Sequence, residues 1–379
     1  MGGSLERRFL LVTGEASGDL HAARLVAALR ELGTCRVRGV AGPALRDQAV
    51  ECLVRAEELA VLGFSEIVGR LPALLRTRRL LLEELARFRP HAVVLVDYPG
   101  FNLRLGPALK RRGARLFYYI APQVWAWHPG RARAMSRWVD RLAVVFPFEE
   151  EIFRSAGVMT TFVGHPLMDD PGPELDEAAF RAQVGAGAGA RILGLLPGSR
   201  PQELERHLGL MLGAARRLRT DRSDLKLVLP LAPGLSPGAL PRQTDLPDVH
   251  LLEGRTRATQ AYATACAVAS GTATLETALF GTPHAIVYRT GRLNYAIARR
   301  LVRLDHIGLP NIVAGREVAP ELVQDQFTVE RLAETLAPWL DDPQRRDAQR
   351  AGLGLVRERL GPPGASRRAA ELLWTLAAA

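Results

Sequence analysis

Lysine is almost missing from this 379-residue chain: it occurs only at Lys110 and Lys226, although Lys and Arg together number 50. The basic side chains are therefore nearly all arginine. Aromatic residues are also scarce, at 6%, so base-stacking on aromatic platforms is not a theme and no nucleic-acid module is recognised. The three cysteines, Cys35, Cys52 and Cys266, lie far apart. They have neither metal-ligand spacing nor a disulfide framework, and they read as isolated buried thiols with no metal site. No run approaches the ~18 apolar residues that a membrane span needs. The strand-like run after Arg8 is too short for a secretory signal, so the expected compartment is cytoplasmic. Acidic residues number 40 against those 50 cations, giving a net charge of +10. Such a balance suits nucleic acid, anionic lipid or phosphorylated substrates, and charge alone does not choose among them.

What is present is alternation. A chain of this length exceeds one ordinary core, which favours two domains. Apolar runs near 9–12, 92–96, 115–120 and 142–146 are separated by longer helical patterns. Continuous apolar strands between amphipathic helices indicate parallel sheets covered on both faces. A stretch rich in Pro, Gly and Ala at 169–191 reads as a linker and mobile surface segment. A second α/β series follows, with strands near 192–196, 225–229, 249–252, 265–269 and 285–288. The expected fold is α/β: two Rossmann-like domains with parallel sheets facing a central cleft. Residues 1–168 form the first domain and 192–345 the second. Helices in 346–379 return to the first domain or pack on a partner chain, which leaves a homodimer open.

Several strand-to-helix turns carry candidate chemistry. Gly14-Glu15-Ala16-Ser17-Gly18-Asp19 follows the first strand. It is either a turn that lets backbone approach a ligand or a helix start capped by Ser17 or Asp19. It is neither G-x-G-x-x-G nor a P-loop. Asp97, just past a buried strand end in Val96-Asp97-Tyr98-Pro99-Gly100-Phe101-Asn102, sits where catalytic groups collect in α/β folds; it is a candidate base or a turn aspartate. In Leu196-Pro197-Gly198-Ser199-Arg200-Pro201-Gln202-Glu203, Ser199 and Gln202 have capping-box spacing, and Arg200 falls at the positive end of a helix dipole. An anion such as a diphosphate would make that placement favourable. Ser270-Gly271-Thr272-Ala273-Thr274-Leu275-Glu276 offers small hydroxyls at another helix start, with Glu276 in reach of a ribose. Asn311, in a glycine-flanked loop, is a reader of an amide-like edge or part of a turn. Trp125 and Trp127 share a side if extended, facing a sugar or acyl surface or the core. The segment 61–85 mixes Leu62, Phe64, Ile67, Val68 and Leu71 with Arg70 and further arginines; from Leu62 to Leu71 the pattern suits an anionic membrane interface, and from Pro72 to Arg87 it suits equally an ordinary sheet-covering helix with a solvated basic face. Pro72 is expected to split it.

In this order, the stretches GEASGD (14–19), VAGPAL (40–45), ELAVLGFSEIVGRL (58–71), VDYPGFN (96–102), APQVWAW (121–127), PFE (147–149), VGHP (163–166), LLPGSRPQE (195–203), SGTATLE (270–276) and LPNIVAGRE (309–317) resemble the lipid-A-disaccharide synthase family. The resemblance implies a GT-B-type glycosyltransferase without cofactor or metal, peripheral on the inner face of the inner membrane. The donor would be UDP-2,3-diacylglucosamine and the acceptor 2,3-diacylglucosamine 1-phosphate, giving the β-1,6 disaccharide phosphate and UDP. It makes Asp97 the essential acid. Arg200, with Ser199 and Glu203, lies at the diphosphate. Ser270, Gly271, Thr272 and Glu276 form the nucleotide loop, and Asn311 belongs to the donor site. Gly14, Glu15, Ser17, Asp19, Asn102 and Trp127 fall on the sugar or acceptor side. Two departures stand out: Gly100, where many members carry a second acid, and His128, where many carry arginine. The rival on the same fold is a UDP-GlcNAc 2-epimerase or another UDP-sugar transferase.

Overall fold

The computed structural model describes residues 6–59, 64–123, 129–169, 172–232, 235–241, 248–291, 295 and 305–378. The chain divides into two compact units, Met1–Asp170 with Leu360–Ala379, and Pro171–Arg359.

The first unit is built on a parallel sheet of seven strands: β1 (Arg7–Val12), β2 (Cys35–Ala41), β3 (Glu51–Arg55), β4 (Ala92–Val96), β5 (Leu116–Tyr119), β6 (Arg141–Val144) and β7 (Thr160–Phe162). Their order is β3-β2-β1-β4-β5-β6-β7. Strands β4 and β5 are buried along their whole length, as expected of a sheet covered on both faces. The order reverses direction between β1 and β4, so the connections leave a crevice at the carboxyl ends of those two strands.

The second unit repeats the plan with six strands: β8 (Ile192–Leu196), β9 (Lys226–Leu231), β10 (Val249–Glu253), β11 (Ala265–Ala269), β12 (His284–Tyr288) and β13 (Glu321–Val323), in the order β10-β9-β8-β11-β12-β13. Its reversal lies between β8 and β11. Two parallel-sheet α/β units are thus what the alternation predicts.

Four strands escape the apolar-run reading for physical reasons. Arg36 and Arg38 interrupt β2, Glu51 and Arg55 are the two ends of β3, and both β2 arginines pair with Glu51 across the strands, with Arg38 Nε 2.6 Å from Glu51 Oε2. Charged side chains are usual on edge strands. The strands β7 and β13 are edges of three residues each, too short to show a period.

Three stretches bear on expectation. Pro72 does not split its segment: the helix Phe64–Phe88 runs through it. The stretch expected to be a linker, 169–191, is ordered secondary structure over much of its described part, residues 172–191. It holds the helix Glu177–Gln183, capped by Asp176, whose Oδ1 accepts from the Ala179 amide at 2.8 Å. Phe180 is fully buried in a cluster with Val184, Ile192 and Val228, and Arg181 pins the Gly-Ala turn by donating to the carbonyls of Gly187 and Ala190. The C-terminal region 346–379 is shared between the units. Helix Pro343–Arg359 ends the second, whereas helix Ala365–Ala378 packs on helix Ala16–Leu32 of the first. Asp169 caps that last helix by accepting from the amides of Gly364 and Ser366, and Arg368 donates to the carbonyls of Val163 and Pro362, each at 2.8 Å. Among the described residues, no helix is long and apolar enough to cross a membrane.

Candidate functional site

In the first unit, β1 and β4 end side by side, which brings the Gly14–Asp19 turn against Asp97. Two consecutive non-glycine residues, Asp97 (φ 46°) and Tyr98 (φ 49°), hold left-handed backbone here. That conformation costs on the order of 1–3 kcal/mol per residue and persists only where the surroundings enforce it. They do. The Asp97 carbonyl accepts 2.7 Å hydrogen bonds from both Asn102 Nδ2 and the Tyr118 hydroxyl. The Tyr98 hydroxyl donates to the Leu59 carbonyl at 2.9 Å. The Tyr98 ring lies over Gly14, where an added Cβ would meet it at 2.4 Å; Gly14 therefore serves close packing against this turn.

The Asp97 carboxyl is pushed up to about 6. Burial disfavours its charged form, the nearby charge of Glu15 adds to the effect, and the Tyr98 amide opposes it. Glu15 is the N-cap of helix Ala16–Leu32 by position but makes no side-chain cap; it and Ser17 are exposed. Two acceptor-side expectations are corrected. Asp19 is 2% exposed, and its carboxylate accepts from the amides of Gly42 (2.7 Å) and Ala44 (2.8 Å). It caps the short helix Pro43–Asp47 and faces away from solvent. Asn102 is fully buried behind Asp97 and holds that residue's backbone. Trp127 and Leu62 lie outside the described residues. Phe64, Ile67, Val68 and Arg70 belong to the helix Phe64–Phe88, and Leu71 on it is exposed.

In the second unit, β8 and β11 end side by side in the same way. Arg200, not Ser199, is the N-cap of helix Pro201–Thr220, and its side chain makes no cap; Glu203, not Gln202, reaches back to the turn. Glu203 Oε2 accepts from the amides of Ser199 (3.0 Å) and Arg200 (3.3 Å). The Glu203 carboxylate is thus engaged in shaping the turn. The Arg200 guanidinium is 63% exposed and only 3.7 Å from Glu203 at best, so it projects from the positive end of a long helix. Gly271 (φ 156°, ψ −165°) caps helix Thr272–Leu279 in a conformation that a side chain resists, with open space around it. Ser270 donates to the Ile307 carbonyl at 3.2 Å, Thr272 is exposed, and Glu276 accepts from Gln260 at 3.3 Å. Burial raises the Glu276 carboxyl.

Asn311 departs furthest from expectation. It is fully buried. Its Nδ2 donates to Glu321 Oε1 and the Ala319 carbonyl, each at 2.7 Å, and its Oδ1 accepts from the amides of Val318 (2.7 Å) and Ala319 (2.9 Å). Both donors and both acceptor positions are used, leaving nothing for a ligand. Glu321 in turn accepts from the amides of Ile307 and Gly308 at 2.9 Å, and Ile307 is the residue that holds Ser270. The asparagine therefore fixes the loop behind the Ser270–Thr272 turn.

Residue-by-residue reading also misses His207, fully buried on helix Pro201–Thr220. Its Nδ1 lies 2.8 Å from the Pro197 carbonyl, and its Nε2 accepts from the Arg289 amide at 3.0 Å. That tautomer, Nδ1–H, ties the Arg200 turn to the end of β12. A lone histidine on an apolar helix face is the available signal.

Three other histidines, His165 and His284 buried and His21 partly so, set an acid limit on stability. Burial lowers His165 to about 3, helped by the charge of His21. It lowers His21 to about 4, with Arg24 adding to the effect and Asp169 opposing it. It lowers His284 to about 4 against a hydrogen bond to Thr282. In the unfolded chain these groups take up protons near pH ~6.5; in the fold they stay neutral until pH 3–4. The unfolded state therefore binds more protons below ~6.5, so stability is full above that pH and falls as pH drops toward 4. At roughly 1.4 kcal/mol per unit of difference, each histidine removes on the order of 2–3 kcal/mol by pH 4. Calorimetric melting temperature should fall steadily from pH 7 to pH 5; a flat profile there would contradict the neutral assignment.

Comparison with known proteins gives the family and the fold. A family model described as lipid-A-disaccharide synthetase matches residues 9–372. The lipid-A-disaccharide synthase of Syntrophus aciditrophicus is 44% identical over 372 residues, covering 97% of each chain. That of Geobacter sulfurreducens is 41% identical over 370 residues, covering 97% of this chain and 96% of its own. Among solved structures, UDP-GlcNAc 2-epimerase from Neisseria meningitidis bound to UDP-GlcNAc superposes with a TM-score of 0.62 at 14% identity, over 97% of this chain and all of that one. The last shares the fold; the first two share the sequence.

Proposed function

The chain belongs to the lipid-A-disaccharide synthase family, and from that membership we propose how its own residues carry out the transfer. The enzyme is a hexosyltransferase with a UDP-sugar donor; the epimerase reading rests on fold alone and is not favoured. The donor is UDP-2,3-diacylglucosamine and the acceptor 2,3-diacylglucosamine 1-phosphate. The acceptor 6-hydroxyl attacks the anomeric carbon of the donor from the face opposite the diphosphate. The new C–O bond forms as the C–O bond to the diphosphate breaks, UDP leaves with that electron pair, and the hydroxyl proton passes to Asp97. The configuration inverts to β.

The observation that carries this reading is Asp97 itself: a buried carboxyl lifted to about 6 on a strained turn at the carboxyl end of β4. A carboxylate with a raised pKa accepts a proton more readily yet stays mostly ionised at neutral pH. Arg200 and the free amides at the starts of helices Pro201–Thr220 and Thr272–Leu279 take the departing diphosphate's charge. Arg200→Ala should lower kcat/KM by roughly 10–100-fold, the size of one charge-assisted hydrogen bond, and weaken inhibition by UDP in steady-state kinetics. Unchanged UDP inhibition would remove Arg200 from the donor site.

The exposed side chains Leu71 (46%), Leu75 (54%), Arg76 and Arg79 recur along one face of the helix Phe64–Phe88. Apolar and cationic groups on one stripe support peripheral attachment to an anionic bilayer surface. The overall reading is tested by incubating purified protein with both acylated substrates in mild detergent plus EDTA. Mass spectrometry should find UDP and the disaccharide phosphate together. Inversion of the sugar of UDP-GlcNAc at C2, with no disaccharide, would point to the epimerase alternative.

A further inference from the structure

A cavity of about 710 Å³ lies in the first unit between the helices Pro99–Lys110 and Pro129–Met135. Five cations line it: Arg104, Lys110, Arg111, Arg131 and Arg137. No acid does. Lys110 pairs with Asp140 at 2.5 Å; the four arginines have no acidic partner among the described residues, and all four are exposed. Like charges gathered round a concavity repel one another and focus a positive potential into it, an arrangement that an anionic ligand stabilises.

The floor is apolar and rigid. Met135 is fully buried and Trp138 is 5% exposed. The indole is wedged so closely over Gly106 that a Cβ there would meet it at 2.2 Å. Leu103 and Pro107 complete that surface. A bare phosphate would have no use for it, whereas a phosphate carried on an acylated molecule would use both parts.

The groove is also placed. It begins at Pro99 and Gly100, the first turn of the helix that directly follows Asp97 and Tyr98. Gly100 has nothing within 4 Å of where a Cβ would stand, so neither packing nor backbone demands glycine, and the end nearest Asp97 is open. A hexose that offers its 6-hydroxyl to Asp97 carries its anomeric phosphate at the far side of the ring. Arg104 lies four residues beyond Gly100, ~6 Å along the helix axis, one turn further from Asp97 along the same groove wall.

We propose that this groove seats the acceptor: the arginines, Arg104 and Arg131 foremost, bind the phosphomonoester, and the Leu103–Pro107–Trp138 floor receives acyl chain. The proposal rests on the transferase reading above and adds the acceptor subsite to it. Binding energy from the phosphate then fixes the attacking hydroxyl against Asp97.

The test uses the doubly substituted Arg104→Ala/Arg131→Ala enzyme, with Arg104→Lys/Arg131→Lys as the charge-keeping control. Calorimetric titration of each with 2,3-diacylglucosamine 1-phosphate in detergent, without donor, reads the site independently of turnover. The alanine pair should weaken that binding about 10–100-fold, the loss expected for a charge-assisted phosphate contact. UDP binding should be unchanged, and the lysine pair should recover part of the loss. The wild-type preference for the phosphorylated over the dephosphorylated acylated sugar should shrink by the same factor. Unaltered acceptor binding in the alanine pair would overturn the proposal. So would loss of flotation on phosphatidylglycerol vesicles with acceptor binding intact, because the groove would then serve bilayer lipid. Failure of the transferase reading shows separately, as absence of disaccharide from the wild type.

Discussion

Asp97→Asn should lower turnover by about 10²–10⁴-fold, the usual size of a general-base contribution, with no loss of thermal stability. The two halves of that result have one cause. The Asp97 carboxyl is raised to about 6 because burial and the charge of Glu15 disfavour its ionised form. Above the ordinary carboxylate range, ionising it therefore works against the fold. Asparagine keeps the shape and can still accept from the Tyr98 amide without the charge. The melt at pH 8 should be as high as that of the wild type or higher, while the proton acceptor is gone. In the wild type, kcat/KM should rise with pH up to an apparent pKa near 6 and then level off. Glu15→Gln should move that limb to lower pH by removing the repulsion. Tyr118→Phe, which removes one of the two bonds to the Asp97 carbonyl, should lower kcat more than it alters the limb. An Asp97→Asn enzyme with near-normal turnover would take Asp97 out of the mechanism.

The Asp97 turn is legible in the sequence because its cause is local. Five buried apolar residues end at Asp97, and a carboxylate at the end of a parallel strand needs no distant information to be noticed. The β8–Arg200 turn was legible on the same terms. What failed was everything decided by partners far along the chain. Asp19 reads as a cap for its own helix, yet its partners are the amides of Gly42 and Ala44. The Gly-Ala run before β8 reads as a linker from composition, yet the single side chain of Phe180 anchors it in the second core. Pro72 reads as a break, yet a helix of 25 residues loses one hydrogen bond there and continues. The groove between helices Pro99–Lys110 and Pro129–Met135 is scattered over 40 positions, and only the fold shows that Arg104 and Arg131 share a cavity. Spacing motifs report strand ends and helix starts; they do not report which side chains those ends have already used.

Asn311 makes the sharpest test of that distinction, and its replacement should unfold before it unbinds. Asn311→Ala removes four hydrogen bonds at a site with no access to solvent. The amides of Val318 and Ala319 lose an acceptor, and the Glu321 carboxylate loses one of its donors. Each buried group left unpaired costs about 1–3 kcal/mol, so a total on the order of 3–5 kcal/mol is expected. For a unit of this size that corresponds to a fall in melting temperature of roughly 10 °C or more. Asn311→Asp should be worse than its isosteric shape suggests, because a second carboxylate would face Glu321 where an amide now donates to it at 2.7 Å. Any loss of donor affinity should follow from the loop that Glu321 holds at Ile307 and Gly308. It should therefore appear together with the loss of stability and recede as temperature is lowered. Scanning calorimetry and UDP titration on the same preparation separate the cases. An Asn311→Ala enzyme that melts like the wild type but no longer binds UDP would mean that the side chain reads the nucleotide directly, and that its enclosed network is not what the asparagine is for.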